Sequence, residues 1–274
     1  MKLFVAGEGQ GGNEETLCRA GLRNRLVTFA YKRGSPMKWW VTERSTHKPL
    51  PESCDVFLDC GAFSAHTQGL HIDVHEYSEF IKRHQVSIDR YAALDVIGNM
   101  NETKTNTEIM ENEYGLSPMP TFHRGSKWTE LERLCEQYQA FALGGIASEH
   151  VGQRMLRKWL DGCFAIIQKA WPKRVHGFGI ASQWALERYP FFSTDSTNVI
   201  IGGGLGRVMR WNKGKLGTSH WTQDSRDHLE RSVMDTQLNG SAYVQRIRAN
   251  CEAQVLFEKY ITDAWTGKGV VFDS

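Results

Sequence analysis

Three aspartates, two histidines and a glycine pair stand directly after short β-rich runs of this 274-residue chain. Asp59 follows Val56–Leu58, Asp95 follows Tyr91–Leu94, and His123 follows Met119–Phe122. Gly144-Gly145 follows Phe141–Leu143, His176-Gly177 follows Arg174–Val175, and Asp195 follows Phe191–Thr194. Two carboxylates brought together can exchange a group at an anomeric carbon. One attacks to give a covalent glycosyl intermediate, while the other protonates the leaving group and then deprotonates its replacement. A third carboxylate can read a base by accepting hydrogen bonds from its N–H groups. The same set could instead hold Mg²⁺, so residue types alone leave both open. One Asp after a strand is ordinarily a helix cap or a loop residue. The recurrence of polar residues after so many strands points to an enzyme.

Those residues converge only if the strands run parallel and share one rim, the C-terminal rim where barrel active sites are built. Two more β-rich runs, Lys2–Ala6 and Leu26–Tyr31, bring the strands to eight. Several are too apolar for half-exposed strands and suit a sheet covered by helices. Helices are predicted at Asp73–His84, with an Asp cap and Val74, Tyr77, Phe80 and Ile81 on one face, and at Glu102–Tyr114, ending at Gly115. Lys127–Tyr138 and Val151–Trp171 follow, the second stopping before Pro172. The alternation predicts a (β/α)8 TIM-type barrel over residues 1–198. Residues 199–274 read as an extension packed on the barrel, with an amphipathic helix at Glu252–Trp265.

Composition narrows the class. Hydrophobic residues make up 41% and charged residues 23%, the profile of a globular protein with ample core. No run of apolar residues is long enough to span a membrane, and a cytoplasmic location is expected. The six cysteines are scattered without a Cys-x-x-Cys pair, and His71 and His75 lack a third ligand, so no metal is expected. Net charge is only +2, which makes clustering informative. Val199–Thr222 carries Arg207, Arg210, Lys213 and Lys215 with Trp211 and no acidic residue, and its six glycines read as a flexible basic loop. Arg19–Thr42 is likewise acid-free, with Trp39 and Trp40. Cations interleaved with aromatics suit phosphate contact and base stacking, so both stretches are candidate nucleic-acid contacts. Against this, charge runs are normally solvated faces and Trp residues are normally core. Gly7-Glu8-Gly9-Gln10-Gly11-Gly12 fits the dinucleotide fingerprint. The second strand then ends in Tyr31-Lys32-Arg33 where an acidic residue should hold the ribose, which leaves an NADP-dependent oxidoreductase as a lower alternative.

Leu58-Asp59-Cys60-Gly61-Ala62-Phe63-Ser64-Ala65 resembles the Asp-Ser-Gly-Gly/Ala-Phe motif of guanine transglycosylases. Leu94–Asn99, Pro120–Gly125, Ala142–Gly145, Val175–Gly179 and Ser193–Thr197 continue the likeness in order over roughly residues 56–198. The pattern is most similar to the short phage and bacterial relatives that place 7-deazaguanines in DNA. The resemblance implies a pentosyltransferase that exchanges guanine in DNA for a free 7-deazaguanine such as preQ0, protecting phage-type DNA from restriction in the host cytoplasm. A tRNA substrate with the same chemistry is the alternative. It implies Asp195 as nucleophile, Asp59 as general acid/base and Asp95 as the holder of the base. Gly144 and Gly145 would let backbone approach the base, His123 would stand near a base-reading position, and Phe63 and Tyr91 would stack or lie in the core. It implies no cofactor. The zinc site of the tRNA enzymes is absent, because Cys251 is the only cysteine after Asp195, and Cys60 replaces the usual Ser. His176 receives no role.

Overall fold

The structure, a computed structural model, describes residues 1–7, 17, 21–32, 55–146, 152–220 and 242–272. Eight parallel strands alternate with helices: β1 (Lys2–Val5), β2 (Asn24–Thr28), β3 (Asp55–Asp59), β4 (Arg90–Tyr91), β5 (Thr121–His123), β6 (Ala140–Gly144), β7 (Arg174–Gly177) and β8 (Ser193–Ser196). Their order is β4-β3-β2-β1-β8-β7-β6-β5, and the seam between β4 and β5 is joined by a parallel bridge, Ala92 to Met119. The sheet therefore curls into a TIM-type (β/α)8 barrel. Every neighbour in it is a neighbour in sequence, apart from the β1–β8 closure. No reversal of strand order creates the crevice in which a Rossmann sheet binds a dinucleotide. This topology removes the Rossmann context on which the NADP alternative rested. Glu8 to Gly12 of that loop lie outside the described residues.

Several strands read as apolar runs because both of their faces are covered. In β3, Phe57 points into the barrel with Phe4, Leu26, Ala92, Met119 and Ala142. Its neighbours Val56 and Leu58 pack outward with Tyr77, Phe80 and Ile81. Those residues belong to α2 (Val74–His84), which follows α1 (Ala62–Gln68). Asp73 caps α2 by accepting from the N–H groups of His75 and Glu76. α3 (Met100–Asn112) starts two residues ahead of the expected Glu102, because Asn99 accepts from Glu102 N–H and sets the first turn. α4 (Trp128–Gln137), α5 (Gln153–Ile167) and α6 (Gln183–Arg188) complete the outer ring. The expected Val151–Trp171 helix is α5 followed by a 3₁₀ turn, Gln168–Ala170.

The N-terminal pole is closed by charge. Asp55 receives the Lys2 ammonium and two bonds from Arg90, Nε at 3.0 Å and Nη2 at 2.7 Å. The Arg90 guanidinium lies 5.9 Å from the ring centres of both Phe4 and Phe192.

Residues 207–220 correct the expectation of a flexible loop. β9 (Arg207–Asn212) and β10 (Lys215–His220) form an antiparallel hairpin, turning through Lys213 and Gly214 at positive φ. α7 (Ala242–Thr266) packs against it and is longer than the expected Glu252–Trp265. Polar residues hide its periodicity, yet they are the residues that fasten it. Asn250 accepts from Met209 N–H at 2.6 Å and donates to Val199 O at 3.1 Å. Gln254 donates to Leu3 O, and Glu258 accepts from Leu3 N–H at 2.7 Å and Asn24 Nδ2 at 3.0 Å. Among the described residues no helix is long and apolar enough to cross a membrane.

Candidate active site

Asp59 ends β3, and its carboxyl accepts from Thr28 Oγ1 at 3.4 Å. Burial pushes its pKa up to about 7, with the charge of Asp195 and then of Asp95 adding to the rise, against the Gly61 N–H and the Thr28 hydroxyl. Gly61 is required there. It adopts φ +88°, and a Cβ would stand 2.7 Å from Ala30 Cβ and 3.0 Å from Thr28 Cγ2. Gly61→Ala is therefore expected to destabilise the protein by about 2–4 kcal/mol, from strained backbone plus overpacking. Urea denaturation measures it, and a loss below about 0.5 kcal/mol, the range of a neutral surface change, would show that the loop has room to give.

Asp195, in β8, is 8% exposed. Its Oδ1 accepts from Gly179 N–H at 2.8 Å and lies 3.4 Å from His176 Nε2. Asp95 lies beyond β4, with Oδ2 at 3.0 Å from His123 Nε2. The two meet as an ion pair rather than as an aligned hydrogen bond, and Asp95 Oδ1 has no hydrogen-bond partner among the described residues. Burial lowers the His123 pKa, but the Asp95 carboxylate outweighs it and the net shift is upward. The imidazolium is thus stabilised by the carboxylate beside it. Cys60 is buried next to Asp59, and desolvation holds its thiol far from ionising.

Asp59 and Asp195 lie close enough for their charges to oppose one another, and Asp95 contributes to the same field. Gly144 and Gly145 belong to this end of the barrel, for a reason the residue types do not show. A Cβ on Gly144 would stand 2.9 Å from Thr121 Cγ2, and one on Gly145, at φ +80°, would stand 3.0 Å from Arg124 N. The pair lets β6 lie tightly against β5 beneath His123. Phe63, in the first turn of α1, is 45% exposed and contributes little to the core. Tyr91 is half-buried and its hydroxyl accepts from Ser117 N–H at 2.8 Å, a structural task.

The basic residues of the extension lie on the hairpin. Arg207, Lys213 and Lys215 are exposed, Arg210 is half-buried, and the Trp211 ring packs on Tyr260 at 4.8 Å and Phe257 at 5.5 Å. Trp211 is thus tied into the packing under α7. Of the stretch Arg19–Thr42, Arg19, Arg33, Lys38, Trp39 and Trp40 lie outside the described residues. Arg25 is buried and donates to Val5 O at 2.7 Å. Arg25, expected as a basic surface contact, is instead a buried cross-strand donor, and sequence reasoning gave no role to Thr28, Gly179 or Ser193, whose contacts carry no local pattern. Among the described residues no group of three or more His, Cys, Asp or Glu could hold a metal ion.

No family model matches the chain, and no curated protein matches it. A solved structure that does match is 2,3-dimethylmalate lyase, a member of the PEP mutase/isocitrate lyase superfamily. It is 10% identical with a TM-score of 0.45, over 97% of this chain and 93% of that one. These findings correct the reading by resemblance. The assignment to guanine transglycosylases is set aside, and with it the pentosyltransferase class, the exchange of guanine for a 7-deazaguanine in DNA or tRNA, and the role in phage DNA modification and restriction evasion. The solved structure named here is a lyase, and no family model or curated protein supports a transglycosylase. At that identity and TM-score the lyase lends this chain no activity either.

Proposed function

We propose that the protein is an enzyme that performs acid-assisted displacement at an electrophilic carbon of a small polar substrate held at the barrel mouth. Protonated Asp59 donates to the departing oxygen or nitrogen, and the Asp195 carboxylate attacks the carbon. The observation that carries this reading is the placement of two neighbouring carboxyls in unlike settings. Asp59 is desolvated and faces the charge of Asp195, so it holds a proton up to about pH 7. Asp195 is instead fixed by the Gly179 N–H. An acid whose pKa is raised beside a hydrogen-bonded carboxylate is a usual basis for separate acid and nucleophile roles. The His123–Asp95 pair supports the reading by placing a fixed charge pair, with Asp95 Oδ1 unpartnered among the described residues, against the polar end of a substrate.

A simple epoxide, 1,2-epoxy-3-(4-nitrophenoxy)propane, tests this without knowledge of the natural substrate. A carboxylate oxygen of Asp195 forms an ester bond to the ring carbon, the C–O bond breaks, and the freed oxygen takes the Asp59 proton. Peptide mapping should find the ester on Asp195, with labelling that declines as pH rises through about 7 and is largely lost in Asp59→Asn. Labelling spread over exposed carboxyls and unaffected by Asp59→Asn would contradict the proposal.

A further inference from the structure

We propose that His176 is a positioning residue for Asp195, held in the Nε2–H tautomer by the hydroxyl of Ser193. The inference rests on the role just given to Asp195. It begins from the register of two strands, since His176 of β7 lies directly across from Ser193 of β8. Both side chains are completely buried. The imidazole is walled in by edge-on rings, Phe178 at 4.5 Å, Phe57 at 4.7 Å and Phe4 at 6.1 Å between centres. Its plane therefore has little freedom to turn.

The polar contacts of the ring lie at its two nitrogens. Nδ1 is 2.9 Å from Ser193 Oγ, and Nε2 is 3.4 Å from Asp195 Oδ1. Among the described residues Nε2 has no aligned hydrogen-bond partner, so the carboxylate is the polar group it faces. The charged groups acting on the ring are Asp195 and, from β4, Arg90. Burial lowers the His176 pKa despite Asp195, so the ring is neutral with a single N–H. If Nδ1 carried that hydrogen, the Nε2 lone pair would point at a carboxylate with no water to soften the repulsion. With the hydrogen on Nε2 the contact is attractive, and Ser193, which can donate or accept, donates to Nδ1. The chain Ser193 to His176 to Asp195 then aims one carboxylate oxygen from below. The Gly179 N–H fixes the same oxygen from the side, which leaves Oδ2 for the substrate.

Two-bond ¹H–¹⁵N correlation spectra of ¹⁵N-histidine-labelled protein at pH 7 read the tautomer directly, without any substrate. The expected pattern for His176 is Nε2–H, moving measurably toward Nδ1–H in Asp195→Ala, where the acceptor is gone. An Nδ1–H pattern in the unaltered protein, or no response to Asp195→Ala, would overturn the proposal. Epoxide esterification of Asp195 gives the second readout. It should fall about tenfold or more in His176→Leu, and His176→Gln, which keeps an N–H donor, should recover much of it. Equal rates in both variants would reduce His176 to a packing residue. If the unaltered protein were not esterified at all while the tautomer pattern held, the displacement reading would fail and the positioning of Asp195 would stand.

Discussion

Asp59→Asn is expected to stabilise the protein at pH 8 by about 2–4 kcal/mol and to leave it nearly unchanged at pH 4. The carboxyl titrates at about 7 in the folded chain and near 3.8 when unfolded. Below the lower value both states hold the proton, and the group costs nothing. As pH rises, the unfolded chain releases its proton first, so folding stability falls until the folded carboxyl also ionises at about 7. A shift of about three pH units corresponds to about 4 kcal/mol at most, at roughly 1.4 kcal/mol per unit. The amide has the same shape and does not titrate, so its advantage grows across that window. Urea denaturation at the two pH values measures it. An advantage equal at both would mean that Asn relieves packing rather than charge. No advantage at pH 8 would mean that Asp59 is not strained electrostatically. The cost of keeping this acid in place is the mark of a functional carboxyl.

Asp55→Ala should act in the opposite sense, with a loss of about 3–5 kcal/mol. Asp55 is the shared acceptor of Lys2 and Arg90 at the floor of the barrel, and its side chain is only 10% exposed. Its removal leaves the Arg90 guanidinium against Phe4 and Phe192 with its anion gone. Breaking one side of a largely desolvated ion pair costs more than the pair is worth, because the remaining charges stay partly buried. Asp55→Ala combined with Arg90→Met should recover part of the loss, since one of the two orphaned charges is then gone and only Lys2 remains. The double variant being as unstable as the sum of the single ones would contradict this account. Native-state epoxide labelling of Asp195 should persist in Asp55→Ala, because the two carboxylates lie toward opposite ends of the barrel.

The barrel was legible because several strands are strongly apolar and each β-rich run is followed by polar or glycine residues. Boundaries were less so. The run Leu26–Tyr31 reads as one strand from its β-favouring residues, yet β2 ends at Thr28 and Phe29–Lys32 form a helical turn, with Phe29 packed on Tyr77 and Phe80. Tertiary packing overrides propensity there. His176 reads as a rim residue because Arg174–Val175 is the apolar run. β7 continues to Gly177, however, and places His176 inside the barrel opposite Ser193. Trp211 reads as a stacking platform because its partners Phe257 and Tyr260 lie far along the chain.

The misleading resemblance has a physical root in the glycines. Gly61, Gly144, Gly145 and Gly177 give the motifs much of their character, and each sits where a Cβ would collide with a neighbouring strand, loop or ring. For Gly177 that neighbour is Phe191, 2.9 Å away. The motifs therefore record how parallel strands pack at the end of a barrel, with an Asp nearby. Such a pattern is open to many chemistries.

The acid and nucleophile roles rest on the raised proton affinity of Asp59 beside the charge of Asp195. A ¹³C titration of the aspartate carboxyls, with Asp59 assigned through Asp59→Asn, tests it most directly. The account predicts that Asp59 titrates at about 7 and that its midpoint falls in Asp195→Asn, where the opposing charge is removed. A midpoint near 4 for Asp59, unmoved by Asp195→Asn, would contradict it.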